Sequence, residues 1–126
     1  MTEIKLTKAT SNDFANCVDI YNAEVSRGEY APDLFYVSAK SNGYERQRHD
    51  ALTINGIDGA MMVLEMLLGE IEHCTNAMYE DGSDSDGYQQ AYRVRKRMRK
   101  LMEQVLDAFP ESETHPDRSE NFRAYI

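Results

Sequence analysis

Apolar residues recur at intervals of three and four in two long stretches, and these carry the fold. In the first, Gly59 to Glu80, the residues Val63, Leu64, Leu67, Leu68, Ile71, Cys74 and Met78 form one stripe at 3.6 residues per turn. Glu65, Glu72, Asn76 and Glu80 fall on the other side. Asp58 is placed to cap the N-terminus, and Asp81-Gly82 supplies a stop. Met61, Met62 and Met66 point away from the stripe, so the start of this helix is apolar nearly all round. Such a surface is either enclosed by its own chain or meets a partner, where methionine packs adaptably. The second stretch, Gly87 to Phe109, places Ala91, Val94, Met98, Leu101, Met102, Val105 and Phe109 on one face and ends before Pro110. Asp86 is the expected cap. A short loop between two long helices predicts an antiparallel hairpin.

The rest of the chain is patterned less strongly. Glu3 to Lys8 alternates and predicts a short strand. Thr10-Ser11-Asn12-Asp13 reads as a helix start, followed by the face Phe14, Cys17, Val18, Tyr21 and Val25 and closed by Gly28. This helix is expected to pack on the hairpin. Leu34-Phe35-Tyr36-Val37 favours a strand and is the one evident partner for the first. Ser41-Asn42-Gly43 predicts a turn, and Tyr44 to Leu52 a short polar helix. Tyr30, Phe35, Tyr36 and Tyr44 lie near Arg46 and Arg48, a mixture that stacks bases in some proteins and borders a core in more. The predicted class is mainly α: a helical bundle on a long antiparallel hairpin, with a minor two-stranded β element near the N-terminus. Residues 1–110 are expected to be a single helical domain. Residues 111–126 are expected to be a polar, mobile tail, in which Phe122, Tyr125 and Ile126 are the residues able to dock.

Charge changes the picture most. The 126 residues carry a net charge of −8. Six of the 14 basic residues lie between Arg93 and Lys100, which leaves eight basic against 22 acidic residues elsewhere, a net −14. On the second helix Arg93, Lys96, Arg97 and Lys100 line the face opposite the apolar stripe, with Arg99 at its edge and Tyr92 beside them. The acidic background argues against strong duplex binding. There is no apolar run long enough to span a membrane, and the N-terminus lacks the apolar core of a signal peptide. Cys17 and Cys74 both fall on apolar helix faces and are expected as buried free thiols, consistent with a cytoplasmic location.

Catalytic chemistry has few candidates. Glu70 and His73 form one Glu-x-x-His pair, where a di-iron bundle needs two pairs and two further glutamates. The loop Gly82 to Gly87 is acidic, but aligned as a calcium loop it puts Gly82 and Arg93 where the first and last carboxylate ligands should be. No P-loop, nucleophile elbow or cysteine zinc spacing is present.

Two stretches resemble known families. Ile4 to Val25 is similar to the first strand and helix of GNAT-type N-acetyltransferases, but the glycine-rich loop that would cradle acyl-CoA has no counterpart, and the nearest candidate, Thr53 to Gly59, does not fit. Leu68-Gly69-Glu70-Ile71 resembles part of the Glu-Glu-x-Gly-Glu-Leu motif of MazG-type nucleotide pyrophosphohydrolases. There Met66 and Leu67 replace the first two glutamates and remove the metal ligands.

The leading expectation is therefore a non-enzymatic protein–protein interaction module with no cofactor and no metal. Its composition suits a phage- or mobile-element-encoded inhibitor that occludes a larger, nucleic-acid-handling complex. Its contact residues would be Arg93, Lys96, Arg97, Lys100, Tyr92, Met61, Met62 and Met66, with self-association as a homodimer expected. The alternatives are a nucleic-acid-binding protein using residues 93–100 and a helical metal-dependent nucleotide hydrolase.

Overall fold

The computed structural model describes residues 2–40, 48–118 and 120–126, apart from the side chains of residues 36–40 and 48–50. The elements run β1 (Thr2–Lys5), α1 (Lys8–Ser26), β2 (Phe35–Lys40), β3 (Arg48–Ile54), α2 (Gly56–Asp81) and α3 (Asp86–Ala108), followed by short 3-10 turns at Pro110–Thr114 and Phe122–Tyr125. Contacts divide the chain into two units, Met1–Val63 and Leu64–Ile126, and the boundary falls inside α2.

The first unit is built on a three-stranded antiparallel sheet of order β1-β3-β2. Ile54 pairs with Thr2 on one side and Phe35 on the other, which fixes β3 as the central strand. A bulge opposite Ser38 and Ala39 shifts the register by one residue near Asp50. The mainly α class with a small antiparallel sheet near the N-terminus holds. One expectation is corrected: residues 48–54 form β3, which gives the sheet its third strand, rather than the end of a polar helix; residues 44–47 lie outside the described residues. The physical reason is burial. Ala51, Leu52, Thr53 and Ile54 are all buried, so this short run is a strand enclosed on both faces and shows no alternation to read.

Helix α1 rests on β3 and buries Phe14, Cys17, Val18 and Tyr21. Thr7 caps it, its Oγ1 accepting from the Thr10 amide at 3.1 Å, so the helix begins ahead of the Thr10–Asp13 cluster. Gly28, at φ +80°, takes the left-handed turn that ends it, as expected. Tyr21 then organises the return to the sheet. Its ring lies 4.2 Å from that of Phe35 and stacks on Tyr30, and its hydroxyl donates to the Ala31 carbonyl. The sequence pattern that grouped Tyr30 and Phe35 thus marks a core edge. Helix α2 starts at Gly56, earlier than expected, and Asp58 sits in its first turn, where a carboxylate suits the positive end of the helix. One turn in, Gly59 lies against the Leu34 carbonyl, an approach that leaves no room for a Cβ.

The second unit contains the helical hairpin. From Leu64 onward α2 packs closely on α3, burying Leu64, Leu67, Leu68, Ile71, Cys74 and Met78 from one helix and Ala91, Met98, Leu101, Met102, Val105 and Leu106 from the other. Near the loop, Cys74, Met78 and Ala91 form a cluster edged by Ala77, Tyr88 and Val94. Ser85, not Asp86, caps α3, its Oγ accepting from the Tyr88 amide at 3.0 Å. The expected mobile tail is folded back on α3. Phe122 is 1 % exposed, Arg123 bridges Glu113 at 2.9 Å and Asp107 at 3.3 Å, and Arg99 Nε donates to the Tyr125 carbonyl at 2.5 Å. Cys17 and Cys74 are buried thiols outside any disulfide, as the sequence implied.

Candidate functional site

Helix α3 turns one face to the core and the opposite face to solvent, and the basic window falls on that second face. Arg93, Lys96 and Lys100 are exposed, and Arg95, Arg97 and Arg99 are half-buried. The helix repeat separates them into two flanks. Arg95 and Arg99 lie one turn apart beside Tyr88 and Tyr92, while Arg93 and Arg97 lie on the far flank. Lys96 and Lys100 stand between.

The near flank is concave. Tyr92, Arg95, Lys96, Arg99, Lys100, Glu103 and Ile126 line a groove of about 340 Å³. A second hollow of about 260 Å³ adjoins it toward the helix–helix loop, lined by Thr75, Met78, Tyr79, Tyr88 and Arg95. Arg95 belongs to both, and its guanidinium is held by a 3.3 Å hydrogen bond to Thr75 Oγ1 of α2. Tyr79 is 86 % exposed and Tyr92 44 %, large aromatic surfaces for a chain of this size. At the floor, Arg99 is oriented by the Tyr125 carbonyl. Burial pushes the Tyr125 phenol above its ordinary range, with the carboxylates of Glu120 and Glu72 adding to the shift.

Among the described residues, no ion pair involves Arg93, Arg95, Lys96, Arg99 or Lys100. The ion pairs at hand lie elsewhere, at Lys5–Glu3, at Arg27 with Glu24 and Glu29, and at Arg123 with Glu113 and Asp107. Described carboxylates bracket the window, with Asp81, Asp84 and Asp86 exposed before it and Glu103 and Asp107 exposed after it.

Of the residues expected at the site, the structure gathers Tyr92, Lys96 and Lys100 around one groove and puts Arg93 and Arg97 on the helix's other flank. The methionines are not part of it. Met61 is only 9 % exposed, so its own chain encloses it; Met62 and Met66 are half-buried. Sequence reasoning put Arg99 only at the edge of the basic face and missed Arg95 and Tyr79. The i, i+4, i+7, i+11 spacing of Tyr88, Tyr92, Arg95 and Arg99 was the available signal. Tyr79 needed the hairpin itself, because it comes from the other helix.

Glu70 and His73 do not form a centre. His73 is exposed, and Glu70 Oε1 lies 3.9 Å from the Cys74 thiol, close enough for a weak S–H donation. Among the described residues, no group of three or more His, Cys, Asp or Glu side chains converges to hold a metal. No described helix is long and apolar enough to cross a membrane. No family model matches the chain, and neither does any curated protein or solved structure.

Proposed function

We propose that the protein is a non-enzymatic interaction module that docks through α3 on an acidic protein surface. The observation that carries this reading is the window Arg93–Lys100, in which five of six cations form no ion pair among the described residues of a chain with net charge −8. Cations left in solvent by an acidic chain complement a negative surface, steer encounter and exclude like-charged competitors. The adjoining tyrosines supply the rigid, amphipathic contact area that interfaces use as anchors. Docking of this kind acts by occlusion: the partner's acidic surface, whether on a nucleic-acid-handling complex or on a second copy of this chain, becomes unavailable to its usual ligand.

The test is affinity capture from the native host, comparing the tagged protein with a Lys96→Glu/Lys100→Glu variant. Both lysines are exposed, so the variant keeps the wild-type melting temperature. The expected result is a partner held by the wild type and released at least tenfold faster by the variant, equivalent to about 1.4 kcal/mol. A partner retained equally by both proteins overturns the reading.

A second reading has one specific observation in its favour. Exposed Tyr79 and Tyr92 beside cations are also the parts of a single-strand binding surface, with bases on rings and phosphates on guanidinium and ammonium groups. A gel shift at low salt decides it: sub-micromolar binding lost on the same charge reversal supports nucleic acid, and no shift removes it.

A further inference from the structure

The groove and the hollow beside it form one surface whose two ends differ in charge, and their order specifies a ligand. At the loop end, the rings of Tyr79 and Tyr88 line a hollow with Met78 and Thr75, where Arg95 is the one charged residue. Further along the helix, Arg95, Lys96, Arg99 and Lys100 outnumber the single carboxylate of Glu103 in the groove, and Arg95 joins the two. We infer that this surface binds a short linear peptide segment in which one aromatic side chain precedes or follows a run of two or three carboxylates. The inference rests on the proposed docking of α3 on a protein, and it specifies the form the partner presents.

Length follows from the helix. Tyr88 to Lys100 spans 12 residues, about 18 Å at 1.5 Å per residue, which an extended peptide covers with about five or six residues. The centre of the basic run lies about 14 Å from Tyr88, so the aromatic residue and the centre of the acidic run stand about four residues apart.

The flanks distinguish a peptide from a nucleic-acid strand. The cationic stretch is about 10 Å long and is closed off by Asp81, Asp84 and Asp86 at one end and by Glu103 and Asp107 at the other. A strand is charged at every nucleotide and would run onto those carboxylates. A peptide can place its charges within the stretch and leave neutral residues opposite the acids. Arg95 and Arg99, each already oriented by one hydrogen bond, present planar forks suited to carboxylates.

The test uses the full chain and defined probes in fluorescence polarisation. One fluorescein-labelled peptide carries a phenylalanine, a two-residue neutral spacer and three aspartates, and a second carries the reverse order. Controls replace the phenylalanine by serine or the aspartates by asparagines, and a thymidine hexanucleotide represents a strand. One of the two orders is expected to bind. Either replacement in the peptide weakens it at least tenfold, as does Lys96→Glu/Lys100→Glu in the protein. Tyr79→Ala weakens the phenylalanine peptide but not the serine one, an outcome that loss of folding would not give. Failure of both orders to bind, indifference to the phenylalanine, or tighter binding of the hexanucleotide overturns the inference. If the host partner is still lost on charge reversal while both peptides fail, docking through α3 stands and the linear-peptide form falls.

Discussion

Gly59 and Gly69 sit in the same helix, and replacing each by alanine should move stability in opposite directions. In a helix interior, alanine is favoured over glycine by about 0.5–1 kcal/mol. Gly69 is exposed, and an added Cβ meets nothing within 4 Å, so Gly69→Ala keeps that gain. At Gly59 the added Cβ would overlap the Leu34 carbonyl oxygen, lie 3.0 Å from its carbon and 3.2 Å from Ile54 Cγ2. The carbonyl cannot simply withdraw. It accepts from the Asn55 amide at 3.0 Å, and Asn55 Nδ2 holds the neighbouring Asp33 carbonyl at 3.1 Å. Forcing the segments apart costs about 1–3 kcal/mol in overpacking and about 1 kcal/mol in a weakened hydrogen bond, against a propensity gain of at most about 1 kcal/mol. The net is a loss of roughly 1–3 kcal/mol. With unfolding entropy near 2.1 cal/mol/K per residue, each kcal/mol moves the melting temperature by about 4 °C here. Thermal melts followed by circular dichroism should fall by about 4–12 °C for Gly59→Ala and rise by about 2–4 °C for Gly69→Ala. A Gly59→Ala protein as stable as the wild type would refute the close approach of α2 to Leu34.

Two further tests concern titration. Burial raises the Tyr21 phenol above its ordinary pKa, against a lowering hydrogen bond from the Leu34 backbone, and the charge of Asp33 adds to the rise. Its contribution is complete below the unfolded value and is lost as pH rises through the folded one. The wild type should therefore lose stability above about pH 10, and Tyr21→Phe should be about 1 kcal/mol less stable at pH 7 with a flatter alkaline decline, measured by urea denaturation. Glu113 is shifted the other way: the hydrogen bond from Arg123 holds its carboxyl below the usual glutamate range. That contribution is present at neutral pH and lost as pH falls through the lowered value. Hydrogen exchange of residues 110–126 should accelerate relative to α3 on acidification below the glutamate range, and Glu113→Gln should show the faster exchange already at pH 7.

The hairpin was legible because each helix carries a long stripe at 3.6-residue spacing and the loop between them is short. The sheet was only half legible. Ile4 alternates with charged neighbours, whereas Ala51 to Ile54 is buried on both faces and so has no period to detect. The tail was partly legible: Phe122, Tyr125 and Ile126 stood out as able to dock, and Phe122 is buried, but the contacts of Arg123 and Arg99 that fix the chain around it are not revealed by a polar composition. At the site, the basic window was plain in the sequence. Its division into a grooved flank and an open one, and the arrival of Tyr79 from α2, depend on how two helices meet. Met61 shows the converse: an off-stripe methionine suggested a contact surface, and the chain's own packing encloses it.

The central claim is that the cationic face of α3 is where a partner sits, and lysine reactivity reads that directly. Lys96 and Lys100 lie on the face, and exposed Lys8 lies at the start of α1 in the other unit. Acylation of the free protein and of its complex, quantified by mass spectrometry, should show Lys96 and Lys100 protected in the complex while Lys8 reacts as before. Unchanged labelling of Lys96 and Lys100 in a saturated complex would contradict the account.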